Sequence, residues 1–600
     1  MNTNIKNAFR LGALAIAGLF MAYSCSDKWD DHYAGNLEGV AFDGTIISGI
    51  EGQTEYEVSD FLDVLKATGY DRNLNSDQIY TVWAPVNGSF DKDGLLADLA
   101  AGDTAKVIDR FVKNHVALYN ISLTPNEQTV TLLNSKSVKL TSAAEGKFGK
   151  SDVLQANIVC TNGILNIISN ANEYVPTIFE QLEDDYKAYL SENPDVDAKS
   201  LISMMTFLKA YDADSLDENK SVYLGLDPNG NRVYVDSVMI RNNTILRSLD
   251  AYLYRDDSTY WAISPSVKAY QERYEIAKTF LNFNPSENVV NPNTTDSLQN
   301  RYANLFAMRD MFYNVNANEH YTDSLKSTEY SPRSWEDHVF RGNPYAEGGL
   351  FANAEPVECS NGIVYRVNEY PMSIYDQFYR KISTKVSNSH VDNTEDTSGK
   401  MIYVKSCKYP LASYNNTLTY TSSETGYPVN VNYYYTEVLT TSSTSTPTVT
   451  FKVYNTLSGK YDVKLVTVPI RYKIGADKND TRKYQFRATY FVRDDAGKYT
   501  ARGVQMKDPV TDSRDFVTAH PEDVMDEEGN ILSYDMAVYD TINLGEVDLE
   551  YSYYGRSDAG FMLQLNTKVG SKEKDLFSRD ILVNSIIFEP KRETTTEPTE

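Results

Sequence analysis

Thr81-Val-Trp-Ala-Pro85-Val-Asn-Gly-Ser-Phe90 is a short apolar run that stops at a proline and turns at Asn-Gly. β-Branched and aromatic residues ending at a residue with no amide hydrogen read as a buried strand whose ladder must stop there. Farther along, Cys160-Thr-Asn162-Gly163-Ile-Leu-Asn-Ile-Ile168 opens a second apolar strand behind an Asn-Gly turn. Both signatures recur in the same order, as Trp261-Ala-Ile-Ser-Pro265-Ser-Val-Lys-Ala-Tyr270 and Cys359-Ser-Asn361-Gly362-Ile-Val-Tyr-Arg-Val367. Pro85 and Pro265 lie 180 residues apart, Gly163 and Gly362 199. Repetition at that scale predicts duplicated domains, not a short-period solenoid.

Outward from the first signature, Val58–Thr68 places Phe61, Leu62, Val64 and Leu65 on one helical face before Gly69 breaks it. Val107–Val116 is again amphipathic, and Val130–Leu133 and Val138–Thr141 read as strands. This order resembles the fasciclin domain. Its first motif is met by Thr81-Val82-Trp83-Ala84-Pro85, with Phe90 closing the turn, and its second by Asn162-Gly163-Ile164-Leu165. A central Tyr-His-like pair is met by Asn114-His115, which keeps only the histidine. The resemblance implies one fasciclin-like domain over 40–175 and a looser one over 176–383, where Ser264-Pro265 and Asn361-Gly362-Ile363 survive. Setting Phe306 opposite Phe111 puts Asp310 where the histidine should stand. His115 is expected to be satisfied by a backbone carbonyl. The two Asn-Gly pairs are expected to serve as turn chemistry. Cys160 and Cys359, at matching places, are expected to be buried small hydrophobes.

From about Lys385 helical periodicity vanishes. Tyr461–Thr467 and Tyr484–Tyr490 alternate, Phe561–Val569 and Ile581–Phe588 follow, and turn signals separate them. The fold class is therefore α+β: two fasciclin-like α/β domains, then an antiparallel β-sandwich over 385–593 and a tail over 594–600. The sandwich is similar to galactose-binding-like jelly rolls, which bind sugars on aromatic platforms. That implies Tyr433, Tyr434, Tyr435, Tyr551, Tyr553 and Tyr554 as candidate ligand contacts. Alternation along a strand sends part of each cluster inward, so a structural role is favoured for them.

Six hundred residues with a net charge of −26 exclude a nucleic-acid binder, which needs a basic footprint. Lys6 and Arg10 precede an apolar run, Leu11–Ala22, that is short for a membrane span and ends at Ala22-Tyr23-Ser24-Cys25. Residues 1–24 resemble a lipoprotein signal. That resemblance implies a diacylated Cys25 followed by an acidic tether over 25–39, like the export signal of Bacteroidota-type surface lipoproteins. The expected location is the outer membrane, facing the cell exterior. No His-Glu-x-x-His, Gly-x-Ser-x-Gly, Cys-x-x-Cys or phosphate-cradling loop occurs, and six histidines are scattered. The expectation is a non-enzymatic protein with no cofactor and no metal. It resembles accessory subunits of importers built from a TonB-dependent transporter and a lidding lipoprotein, which implies a glycan or peptide ligand. The alternatives are a cell or matrix adhesin and a glycan-active enzyme.

Overall fold

The computed structural model describes residues 39–124, 126–141, 146–218, 221–226, 230, 232–236, 239–285, 294–316, 319–330, 338–391, 402–421, 427–477, 479–501, 538–556, 560–567 and 569–592. The leader, Cys25, all but the last residue of the 25–39 stretch, and the 594–600 tail lie outside them.

Strand Tyr80–Pro85 sits inside a seven-stranded sheet. It runs parallel to Gly163–Ile168, in register from Tyr80↔Gly163 to Pro85↔Ile168, and antiparallel to Val116–Leu118. All six residues of both central strands are buried, as continuous apolar runs dictate when both faces of a sheet are covered. On one face, helices Ile46–Glu51, Ser59–Thr68 and Tyr70–Leu74 build the main core. Helix Ser59–Thr68 buries Phe61, Leu62, Val64 and Leu65 and ends at Gly69, whose φ of 73° closes it in the left-handed conformation. The other face carries a smaller cluster in which Trp83 stacks on Phe148 at 4.4 Å.

The amphipathic stretch at Val107–Val116 is not a simple α-helix. Ala105–Val112 winds as a π-helix, Lys113–His115 tightens to a 3₁₀ turn, and the chain enters its strand at Val116.

The second signature builds the same pairing. Tyr260–Pro265 runs parallel to Gly362–Val367, in register from Tyr260↔Gly362 to Pro265↔Val367. Phe312–Asn314 lies antiparallel on one side and Glu355–Cys359 on the other, giving four strands. Phe312 faces Ala262 as Val116 faces Val82. Met311 therefore stands at the place of His115, and Asp310 at that of Asn114. Setting Phe306 opposite Phe111 therefore places Asp310 one residue out. That setting assumes equal winding, but Thr294–Met308 is an α-helix where the first unit has a π-helix.

Beyond residue 380 the chain forms two antiparallel sheets, of six and five strands, around a shared core. Strand Ile382–Lys385 crosses the 383/385 boundary and pairs with the last strand, Ile581–Pro590. The core does not stop at that boundary either. Tyr274, Ala277 and Leu281, together with Ala303 and Phe306, belong to the same buried cluster as the sheets. Phe306 stacks on Phe378 at 5.2 Å and meets the edge of Tyr554 at 4.7 Å.

Candidate functional site

The two Asn-Gly turns do more than reverse the chain. Gly163 has a φ of 146°, and a Cβ there would lie 1.9 Å from the Tyr80 carbonyl oxygen; Gly362, at 140°, would meet Tyr260 O at 1.8 Å. Only glycine lets the paired strands approach so closely. The neighbouring asparagines are buried knots. Asn162 Oδ1 accepts from Ile46 N at 2.9 Å, and its Nδ2 donates to Leu74 O and Ser76 O at 2.8 and 3.0 Å. Asn361 Oδ1 accepts from Ile178 N at 2.8 Å, and its Nδ2 donates to Leu253 O and Arg255 O at 2.8 and 2.9 Å. Each Oδ1 thus satisfies the first amide of a helix, Ile46–Glu51 or Ile178–Glu192. Cys160 is buried and Cys359 half-buried, and burial pushes both thiols up, to about 11 and about 12. Neither is poised as a nucleophile.

His115 is buried. Its Nδ1 donates to Phe111 O at 2.8 Å and its Nε2 accepts from Asn172 N at 2.8 Å, which specifies the neutral tautomer. Burial brings its pKa down to about 4, against a small opposing contribution from the Phe111 carbonyl. Both nitrogens are used inside the fold, so the ring is structural.

Among the described residues one Asp/Glu/His grouping has ligand atoms within 4.8 Å of one another: Asp310, Glu329 and His338. Asp310 has a φ of 58°, just past helix Thr294–Met308. Its Oδ1 accepts from Ser327 Oγ at 2.6 Å and lies 3.0 Å from His338 Nδ1, and its Oδ2 accepts from Arg380 Nη2 at 2.6 Å. Glu329 Oε2 accepts from Asp310 N at 2.9 Å, and Arg309 Nε lies 3.5 Å from Oε1. Burial opposes ionisation of Asp310, but the His338 hydrogen bond and the Arg380 charge outweigh it and hold its pKa below the ordinary value. At Glu329 burial prevails and the pKa rises. Two carboxylates and an imidazole suit a divalent transition metal by donor type. Arg380 already occupies the anionic side of Asp310, so the arrangement reads as a buried, arginine-neutralised network. No ligand-spacing motif joins positions 310, 329, 338 and 380, which is why sequence reasoning missed it.

The tyrosine candidates separate. Tyr433, Tyr435, Tyr551 and Tyr553 are buried, and a ring with no open face cannot stack a sugar. Tyr433 OH donates to Tyr472 O at 2.9 Å, and Tyr435 OH accepts from Ile474 N at 2.8 Å. Tyr551 OH donates to Asp495 Oδ1 at 2.7 Å, and Tyr553 OH accepts from Arg493 N at 2.9 Å. Tyr434 and Tyr554 are half-buried. Lys385 Nζ sits 4.0 Å over the Tyr434 ring, and Tyr554 packs on Tyr302 and Phe306. The six do not converge on one surface: each set is tied into its own part of the core.

Residues 56–171 match the sequence profile of the fasciclin domain. This unit is a fasciclin-like domain. No curated protein matches the chain. Among solved structures, a fasciclin-domain pair from the insect cell adhesion molecule Fasciclin I is 14% identical and covers 53% of this chain and 98% of its own, with a TM-score of 0.16. An α-L-fucosidase from Vibrio sp. strain EJY3 is 10% identical, covering 35% of this chain and 36% of its own at a TM-score of 0.13. The catalytic domain of a GH87 α-1,3-glucanase is 11% identical, covering 32% and 30% at 0.13. Superpositions this poor carry no argument about fold or chemistry.

The fasciclin-like domain is bolted to the segment that follows it. Lys136, 7% exposed, reaches Glu180 Oε2 at 3.1 Å, Ser360 Oγ at 3.0 Å and Asp256 Oδ2 at 3.5 Å. Its ammonium also lies 5.1 Å from the centre of the Tyr174 ring. Tyr174 OH donates to Glu180 Oε1 at 2.5 Å, and Arg110 grips Asp184 through two nitrogens at 2.6 and 2.9 Å. Burial would raise the pKa of Glu180, but the Lys136 charge and the Tyr174 and Thr177 hydrogen bonds together bring it down to about 2. A permanently ionised carboxylate clamped by a buried ammonium gives this domain a defined seat. No helix among the described residues is long and apolar enough to cross a membrane.

Proposed function

We propose that this chain is a non-enzymatic adhesion protein of the cell surface, built on two fasciclin-like copies and a jelly-roll-like β-sandwich. The match of residues 56–171 to the fasciclin domain carries the reading. The second copy, 176–383, is supported by its repetition of the strand register and of all three Asn hydrogen bonds. Rigid seating suits a load-bearing role. The Lys136 clamp joins the first copy to the second, and the Phe306 core joins the second to the sheets. A non-catalytic role is supported by the arginine-neutralised state of the Asp310 network and by the structural hydrogen bonds of His115. The measurement is cell and matrix adhesion to surfaces coated with the full chain. Specific, saturable adhesion supports the reading, and its absence sinks it.

A second reading makes the protein an accessory subunit of a TonB-dependent importer. There it would dock beside the transporter and its lidding lipoprotein and capture a glycan or peptide. This rests on Cys25 and the acidic stretch behind it, which propose a lipid anchor on the exterior of the outer membrane. Purification from native membrane separates the two readings, because a stoichiometric transporter in the eluate favours the importer.

A further inference from the structure

The six-stranded sheet ends in a two-stranded ribbon, Ser413–Thr421 with Pro428–Val438. The inner strand meets the last strand of the chain only at Thr436–Val438. Most of the ribbon therefore extends past the sheet. Its own pairing runs without a bulge from Ser413↔Thr436 to Thr421↔Pro428. Among the described residues no strand pairs with the outer edge of Ser413–Thr421.

Free edges are normally blocked by a charge, a proline or a bulge. Ser-Tyr-Asn-Asn-Thr-Leu-Thr-Tyr-Thr has none of these. In a chain of net charge −26, this nine-residue uncharged edge is a place where two copies can meet without charge repulsion. Asn415, Thr417 and Thr419 are exposed along it. The Thr417 N–H donates to Asn416 Oδ1 at 2.9 Å, a local cap that a second strand's carbonyl can replace.

The strand is also roughly symmetric in side-chain chemistry about Thr417. Laid antiparallel on itself there, Tyr414 opposes Tyr420, Ser413 opposes Thr421, Asn415 opposes Thr419 and Thr417 opposes Thr417, while Asn416 opposes Leu418 as the one pair of unlike chemistry. Facing positions share parity, so each stays on the same face of the extended sheet. The Asn–Thr and Tyr–Tyr pairs are of kinds the ribbon already makes internally. Thr417 Oγ1 donates to Asn432 Oδ1 and Thr419 Oγ1 to Asn430 Oδ1, each at 2.7 Å, and the Tyr414 and Tyr435 rings lie 5.6 Å apart. Such aromatic and hydroxyl pairs are favourable across strands.

We propose that Ser413–Thr421 is a dimerisation edge: it pairs antiparallel with the same strand of a second copy, and one sheet continues through both chains about a two-fold axis. The interface is isologous and small, so the dimer is concentration-dependent. Sedimentation velocity of the full chain over a dilution series up to about 100 μM tests it, since contacts of this size associate weakly. The wild type should shift toward doubled mass as concentration rises. Thr417→Lys, which sets like charges face to face, should stay monomeric with an unchanged circular dichroism spectrum. Mixing Thr417→Lys with Thr417→Glu should restore the doubled mass. A wild type that remains monomeric throughout, a Thr417→Lys variant that dimerises like it, or a mixture that stays monomeric overturns the proposal.

Discussion

Asn162 and Asn361 make equivalent sets of three hydrogen bonds in two different sheets: each accepts from the first amide of a helix and donates to two carbonyls, two residues apart, just ahead of the paired strand. One carboxamide thus closes a helix, a loop and a strand entry at once. The equivalence is what makes the repeat physical and not merely textual.

Replacing either asparagine by leucine orphans a buried amide and two carbonyls. Each variant should lose about 2–4 kcal/mol, given about 1–3 kcal/mol for each unsatisfied buried group and partial rescue by water. Equilibrium denaturation measures it. Equal losses at the two sites would support their equivalence, and a neutral Asn361→Leu would refute it.

The adjoining glycines should be less forgiving. Gly163→Ala and Gly362→Ala each drive a Cβ into a carbonyl of the paired strand. The expected loss exceeds about 4 kcal/mol, the range of severe backbone and packing lesions. Soluble yield and thermal melting report it, and a variant that melts like the wild type would contradict the parallel register.

Lys136→Met should be strongly destabilising, by about 3–5 kcal/mol, because it strands a buried carboxylate. Glu180 also supplies an acid signature. Its folded pKa, about 2, lies below its ordinary 4.5. Its stabilising contribution is therefore full above 4.5 and is lost as pH falls toward 2. Melts between pH 2 and 6 should show this loss in the wild type and a shallower one in Lys136→Met.

His115 predicts a second, higher window. Its folded pKa, about 4, lies below its ordinary 6.5, so the unfolded chain binds the proton more tightly between those values. Stability is full above 6.5 and falls as pH drops toward 4, by about 3 kcal/mol at 1.36 kcal/mol per unit. Nuclear magnetic resonance should find no His115 titration near 6.5. His115→Gln should lower stability at neutral pH and remove the slope.

Phe306→Ala tests whether the second unit and the sheets share one core. The loss should be about 3–5 kcal/mol. Both parts should melt together in calorimetry, and two separated transitions would show independent cores.

Much of this is legible in the sequence. The apolar runs ending at Pro85 and opening at Gly163 announce strands buried on both faces, and the equivalents at Pro265 and Gly362 form the same strands with only three of six residues buried in each. Helix Ser59–Thr68 and its glycine stop were equally plain. The helix before Val116 was not, because apolar spacing cannot tell π from α winding over two turns, and the one-residue error at Asp310 followed from that.

Composition and motif order by themselves determined an acidic, mixed α+β chain with a repeated strand pair. Only the tertiary structure decided that four of the six tyrosines lie inside and that Asp310 meets Arg380 across seventy residues. It also decided that Lys136 is buried between two segments and that the core runs through the expected boundary near 384. The division has a physical cause. Turns and strand ends are governed by φ, amide hydrogens and local periodicity, which neighbouring residues carry. Charge neutralisation and burial depend on which distant surfaces meet, and no linear spacing encodes that.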